Sequence, residues 1–163
     1  MTERSWGRRL VTSLALAVAA LAAAVLPIAP AHAAYSADQP VWTQVTANDG
    51  SGMPLALLQG TVAFDDSNVK YRYSLSLCWQ SGAYPSPSFL IVVNGTTLQS
   101  PVWSGSSSAP GCQSVQLYTA EVNVGSAVYN VRFDVTAGWF SSRNNGQYMT
   151  RTKSSGTYDN PFN

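Results

Sequence analysis

The chain has 163 residues, a formal net charge of +1, 45% hydrophobic residues and only 10% charged ones. Nucleic-acid binding needs a dense basic stripe, and the Lys and Arg residues form none. Few charges with many Ser, Thr, Asn, Gly and aromatic residues is the composition of extracellular β domains.

Arg4, Arg8 and Arg9 precede an apolar run from Leu10 to Leu26, and Ala31-His32-Ala33 places small residues where a signal peptidase reads them. Residues 1–33 are expected to be a cleavable, Ala-rich signal peptide of bacterial type, and residues 34–163 a single secreted domain. A retained anchor is the alternative, disfavoured by the helix-breaking Pro27 and Pro30. Arg8-Arg9 also admits twin-arginine export, but Val11 and Thr12 follow where stronger apolar residues would suit it, so the general route is preferred. No later stretch could span a bilayer as a helix. Cleavage removes His32, the only histidine, and leaves seven acids against six bases.

Val41-Trp42-Thr43-Gln44-Val45-Thr46 reads as a short strand, stopped by the turn cluster Asn48 to Gly52. Leu55 to Phe64 and Val69 to Gln80 form a hairpin around Asp65-Asp66-Ser67-Asn68. In the second arm Val69, Tyr71, Tyr73, Leu75, Leu77 and Trp79 alternate with Lys70, Arg72, Ser74, Ser76, Cys78 and Gln80, giving one apolar face and one wet face. Folding Phe64 onto Val69 and Gly60 onto Tyr73 keeps every apolar residue on one side. Ser81 to Pro87 is a loop. Phe89 to Val93 and Thr96 to Trp103 form a second hairpin through Asn94-Gly95, the strongest two-residue turn signal, pairing Ile91 with Leu98. Asn94-Gly95-Thr96 is also a glycosylation sequon, but the turn accounts for it.

Ser104 to Gly111 reads as a flexible loop. Cys112 to Val124 and Ala127 to Phe140 read as a third hairpin across Gly125-Ser126, with Tyr118 opposite Phe133. Gln147 to Lys153 is a last, polar edge strand, and Ser154 onward is loose. About eight strands without an amphipathic helix imply an all-β, antiparallel two-sheet β-sandwich, jelly-roll or Greek-key-like, with a partly closed barrel as the alternative.

Cys78 and Cys112 are the only cysteines and are expected to form a disulfide, worth about 3–4 kcal/mol on the chain-entropy model. Their strand parities conflict, which a bulge near Ser114, or Cys112 lying before the strand proper, would reconcile. The bond would join the first hairpin to the third.

Nucleophilic catalysis by Ser or Cys normally needs an imidazole base, and the mature chain has none; no catalytic residue and no cofactor is expected. Glu121, Arg132 and Asp134 are expected to form a surface charge cluster. Calcium at Asp65, Asp66 and Asn68 is a weak possibility, since their spacing matches no defined loop; otherwise no metal is expected. The remaining candidates are aromatic. Trp103, Trp139 and Phe140 stand where strands run into polar loops, and Tyr84 lies in a loop, so these four are the expected ligand-binding residues. The expected function is non-catalytic binding of an extracellular polysaccharide or cell-wall glycan. The alternative is a proteinaceous inhibitor of a secreted hydrolase, acting through Tyr84-Pro85-Ser86-Pro87 and Ser104 to Gly111.

Overall fold

Strict alternation over long segments gives strands with one face to bury, and two such sheets bury each other. The computed structural model describes residues 34–99, 101 and 105–163. The expected leader and Trp103 lie outside the described residues. The strands are β1 (Gln39–Thr46), β2 (Pro54–Phe64), β3 (Lys70–Trp79), β4 (Ser88–Val93), β5 (Thr97–Gln99), β6 (Gly105–Ala109), β7 (Cys112–Asn123), β8 (Asn130–Ser141), β9 (Gln147–Ser154) and β10 (Tyr158–Asp159). One sheet has the order β1-β2-β3-β7-β6; the other has β10-β8-β4-β5, with β9 also beside β8. All pairings are antiparallel. The expected β-sandwich is the fold, and it does not close into a barrel.

The core lies between the sheets. Phe64, Tyr71, Leu58 and Leu77 face it from the first, and Ile91, Phe133 and Trp139 from the second. Phe89 meets Tyr118 edge to face, with ring centroids 4.9 Å apart. The sandwich is sewn along its β1 and β9 side by Arg151, whose guanidinium donates to the Thr46 carbonyl at 2.8 Å.

The first hairpin forms, two residues out of the expected register. Phe64 lies opposite Tyr71 and Gly60 opposite Leu75. The cause is Asp65, whose Oδ1 accepts the Val69 and Lys70 amides at 3.1 and 2.7 Å. This holds Val69 in the turn, and a slip of two leaves both faces intact because the side-chain period is two. The second hairpin is one residue longer at its loop than expected: Val93 pairs with Thr97 and Ile91 with Gln99. The Asn94 amide group is drawn away to the chain before β8, donating to Ala127 O and accepting from Tyr129 N, both at 2.7 Å.

The third hairpin does not exist. β7 pairs with β3 over ten residues, and β8 with β4 and β9, in opposite sheets. Gly125-Ser126 therefore lies in a crossover between sheets. Both arms turn most of their apolar residues inward, Leu117 being an exception, so Tyr118 and Phe133 belong to one core without being strand neighbours. The expected charge cluster separates with them: Lys70 bridges to Glu121 at 3.1 Å and Arg132 to Asp134 at 2.9 Å, on different sheets.

Two segments expected to be irregular are ordered. Gly105–Ala109 is β6, paired with β7. Beyond Ser154, β10 pairs with β8, and Asn160, 4% exposed, donates to the Val128 carbonyl at 2.7 Å. These pairings use backbone groups, which a Ser-rich or Asn-rich sequence does not advertise.

Cys78 and Cys112 are bonded, with Cα atoms 5.6 Å apart. Pairing of β3 with β7 stops at Trp79 and Ser114. Cys112 lies beyond it, opposite Ala109 in the tight turn from β6, which removes the parity conflict. The bond staples two neighbouring strands rather than joining separate hairpins.

Thr43 points into the core between Val41 and Val45, 2% exposed, and its hydroxyl has no partner among the described residues. A buried, unsatisfied polar group costs about 1–3 kcal/mol. Thr43→Val is expected to stabilise the domain by about 1 kcal/mol, read as a higher urea midpoint at unchanged m-value; an equal or lower midpoint would mean the hydroxyl is satisfied.

Candidate functional site

Inward placement of Val41, Thr43 and Val45 turns Trp42 outward, where its ring is 58% exposed. The pairings line up rows of side chains across the outer face of the first sheet. One row is Trp42, Gln59, Ser76 and Leu117; the next is Pro40, Thr61, Ser74 and Thr119. The middle positions are small or polar, so the sheet lies open between Trp42 and Leu117, three strand spacings or about 14 Å apart. Leu117 is 44% exposed. Two adjoining depressions of 530 and 380 Å³ occupy this face and share Ser74 in their walls. Both volumes lie within the range of ligand clefts, about 300–1,000 Å³.

The floor offers hydroxyl and amide groups. Ser74 Oγ lies 3.4 Å from Thr119 Oγ1, and Ser76 Oγ donates to the Gln59 carbonyl at 3.4 Å. Both are long contacts on exposed or half-buried side chains, weak enough to be exchanged for bonds to a ligand.

The third row, Ala63, Arg72 and Glu121, is occupied. Tyr35, held by a bridge between its backbone and that of Asp65, lies here with the Arg72 guanidinium 4.4 Å from its ring centroid. Arg72 donates to Asp38 at 3.2 Å, and Lys70 bridges to Glu121. Burial, then the facing Glu121 carboxylate, raise the Tyr35 hydroxyl pKa. The nearby Tyr35 hydroxyl, which is buried and makes no hydrogen bond of good geometry among the described residues, then Lys70, hold Glu121 below the usual carboxylate range. These charges are engaged with one another and line one end of the basin, while the lining of its other end carries none.

The residues singled out from the sequence go elsewhere. Trp139 is 0% exposed, a core residue and not the exposed loop-end aromatic that was expected. It continues the inward parity of Val131, Phe133, Val135 and Ala137; reading it as the end of a strand obscured that. Its indole Nε1 donates to Asp49 Oδ2 at 3.1 Å, and Ser141 Oγ donates to the same oxygen at 2.6 Å. Asp49, in the β1–β2 loop, therefore clamps one sheet to the other. The bonds from Ser141, Ser51 and Trp139 keep its carboxyl well below its ordinary range against a desolvation penalty.

Phe140 is exposed and Tyr84 half-buried, and they meet in a ring cluster with Tyr148, with centroids 6.2 and 5.3 Å from that of Phe140. The Tyr148 ring lies over Gly138, where an added Cβ would come within 2.1 Å of its hydroxyl. This cluster covers bare backbone. Tyr84 is drawn inward too, its hydroxyl 3.9 Å from Met53 Sδ.

Asp65 uses its carboxylate within its own turn, accepting from Ser67 as well as from the two amides. Burial opposes its ionisation, but the bonds from Ser67, Lys70 and Val69 outweigh that and lower its pKa. Asn68 bonds to Asn160 and Asn163. Among the described residues no group of three or more His, Cys, Asp or Glu could hold a metal ion.

Trp42 and Leu117 were passed over. The signal for Trp42 was present: a Trp on the polar parity of a short alternating strand. Leu117 could not be placed until β7 was known to pair with β3. Compared with protein-family models, with curated proteins and with solved structures, the chain matches none.

Proposed function

We propose that this is a secreted, non-catalytic module that binds a glycan in the basin on the outer face of the β1-β2-β3-β7-β6 sheet. The observation that carries the reading is Trp42, an exposed indole beside a row of small hydroxyl and amide side chains. A sugar ring has apolar C–H faces and a rim of hydroxyls, so it suits a flat aromatic wall with a hydrogen-bonding floor. Secretion is supported by the disulfide and the basic, apolar, Ala-His-Ala leader, and among the described residues no helix is long and apolar enough to cross a membrane. For the inhibitor alternative, one of its two segments, Gly105–Ala109, is a strand and not a flexible loop.

The test is retention on insoluble glycans. Trp42→Ala is expected to weaken binding by about thirtyfold, the effect of losing an aromatic hot spot worth about 2 kcal/mol. Thermal stability should hold, because Trp42 lies outside the core. Equal retention of the wild-type and Trp42→Ala proteins on a glycan would remove the basin from the reading.

A further inference from the structure

The basin is not the same at its two ends, and this restricts what it can hold. Resting on the glycan reading above, we infer that it takes the terminus of an uncharged glycan, with the chain end lodged against Tyr35 and Arg72.

The argument from shape comes first. A site for the interior of a polymer must let the chain leave at both ends. Here the rows of Trp42 and Pro40 lie open, whereas the next row along the strands is filled by Tyr35 stacked on Arg72. Ala63, on the outer parity in that row, has no exposed surface. The backbone of Tyr35 is held in place: its neighbour Ser36 donates its amide to Phe64 O at 2.8 Å and accepts the Phe64 amide on its hydroxyl at 3.1 Å. Ala34, on its other side, accepts the Asp66 amide at 2.9 Å. The backbone that carries the Tyr35 ring is thus anchored on both sides of it.

Charge supplies the second half. The charged side chains at the stopped end are Lys70, Arg72, Asp38 and Glu121, which cancel in two ion pairs, and Asp65, whose carboxylate also acts on Tyr35 and Glu121 and leaves this end with no excess of positive charge. An acidic polymer bearing uronate, sulfate or phosphate groups would need an uncompensated cation to offset the carboxylates beside it. Arg72 has its Nη2 on Asp38 and its guanidinium carbon over the Tyr35 ring; Lys70 is on Glu121. The hydroxyls of an uncharged terminal sugar can bond to the outer edges of both pairs without separating them. The far end, with Trp42 and Leu117, carries no charge.

The experiment uses the secreted protein and two sets of insoluble polymer. Neutral glucan, mannan, xylan and chitin form one; cross-linked polygalacturonate and alginate form the other. Each neutral polymer is tested before and after brief acid hydrolysis, which multiplies chain ends without changing the repeating unit. The expected result is retention on at least one neutral polymer, capacity per gram that rises with the number of ends, and affinity changing less than twofold between 50 and 500 mM NaCl. Tyr35→Ala should remove the dependence on chain ends by opening the closed row. Capacity indifferent to hydrolysis would overturn end binding. Preference for the acidic set, with affinity falling tenfold or more in salt, would overturn the uncharged ligand. Retention on no polymer would overturn the glycan reading itself. The wild-type arms decide even if Tyr35→Ala does not fold.

Discussion

Trp139→Ala is expected to lower the unfolding free energy by about 3–5 kcal/mol, the range for truncating a buried aromatic side chain. Trp139 has no exposed surface and belongs to the common core of both sheets. Its loss leaves a cavity and also removes one of the donors that hold Asp49 from the opposite sheet. Trp139→Phe separates the two contributions, since it keeps most of the packing and loses only the indole N–H; it should cost clearly less. Urea unfolding of the three proteins checks this. A change below about 1 kcal/mol for Trp139→Ala would mean that the indole does not pack in the core.

Gly60→Ala is the second large effect. Gly60 lies opposite Leu75 in the middle of the first sheet with φ +148°, a backbone conformation that side chains disfavour. A Cβ there would come within 2.0 Å of the Ser74 carbonyl oxygen and 2.8 Å of the Leu75 Cα. Both obstacles are backbone, so nothing flexible can move aside, and β2 and β3 must separate locally. The expected cost is about 3 kcal/mol or more. Gly125→Ala is the matched control. Gly125 also has positive φ, +73°, but an added Cβ meets nothing within 4 Å. It should cost only about 1 kcal/mol, from backbone strain alone. Thermal unfolding of the pair tests this, and equal losses would show that steric contact at Gly60 is not the cause.

Gly60 also connects stability to the basin, because it lines the depression beside Trp42. The same sheet that packs the core thereby presents a face bare enough for a ligand to approach. Substitutions at Gly60 are poor probes of binding for that reason, whereas Trp42 is exposed and separable from the fold.

What the sequence determined by itself was eight of the ten described strands and the direction of nearly every side chain on them. A period of two is a local property, so Tyr71, Tyr73 and Leu75 point inward whichever strand lies beside them. The disulfide was legible because two cysteines allow only one intramolecular pairing. Strand partners were not legible where the chain changed sheets. β7 presents the same alternation to β3 as to β8, and Gly125-Ser126 can turn a hairpin or carry a crossover. Only assembly of the sandwich decided between them, since β7 and β8 can bury both their apolar faces by facing each other across the core. Register also escaped at the loops, because side chains such as Asp65 and Asn94 compete with the backbone for turn amides. The site followed from these decisions. Trp42 was outward by parity alone, but its facing partner Leu117 and the stop formed by Tyr35, Arg72 and Glu121 come from separate strands and a preceding segment. Tertiary pairing alone brings these into neighbouring rows, because a row across a sheet is a property of register, which no single strand encodes.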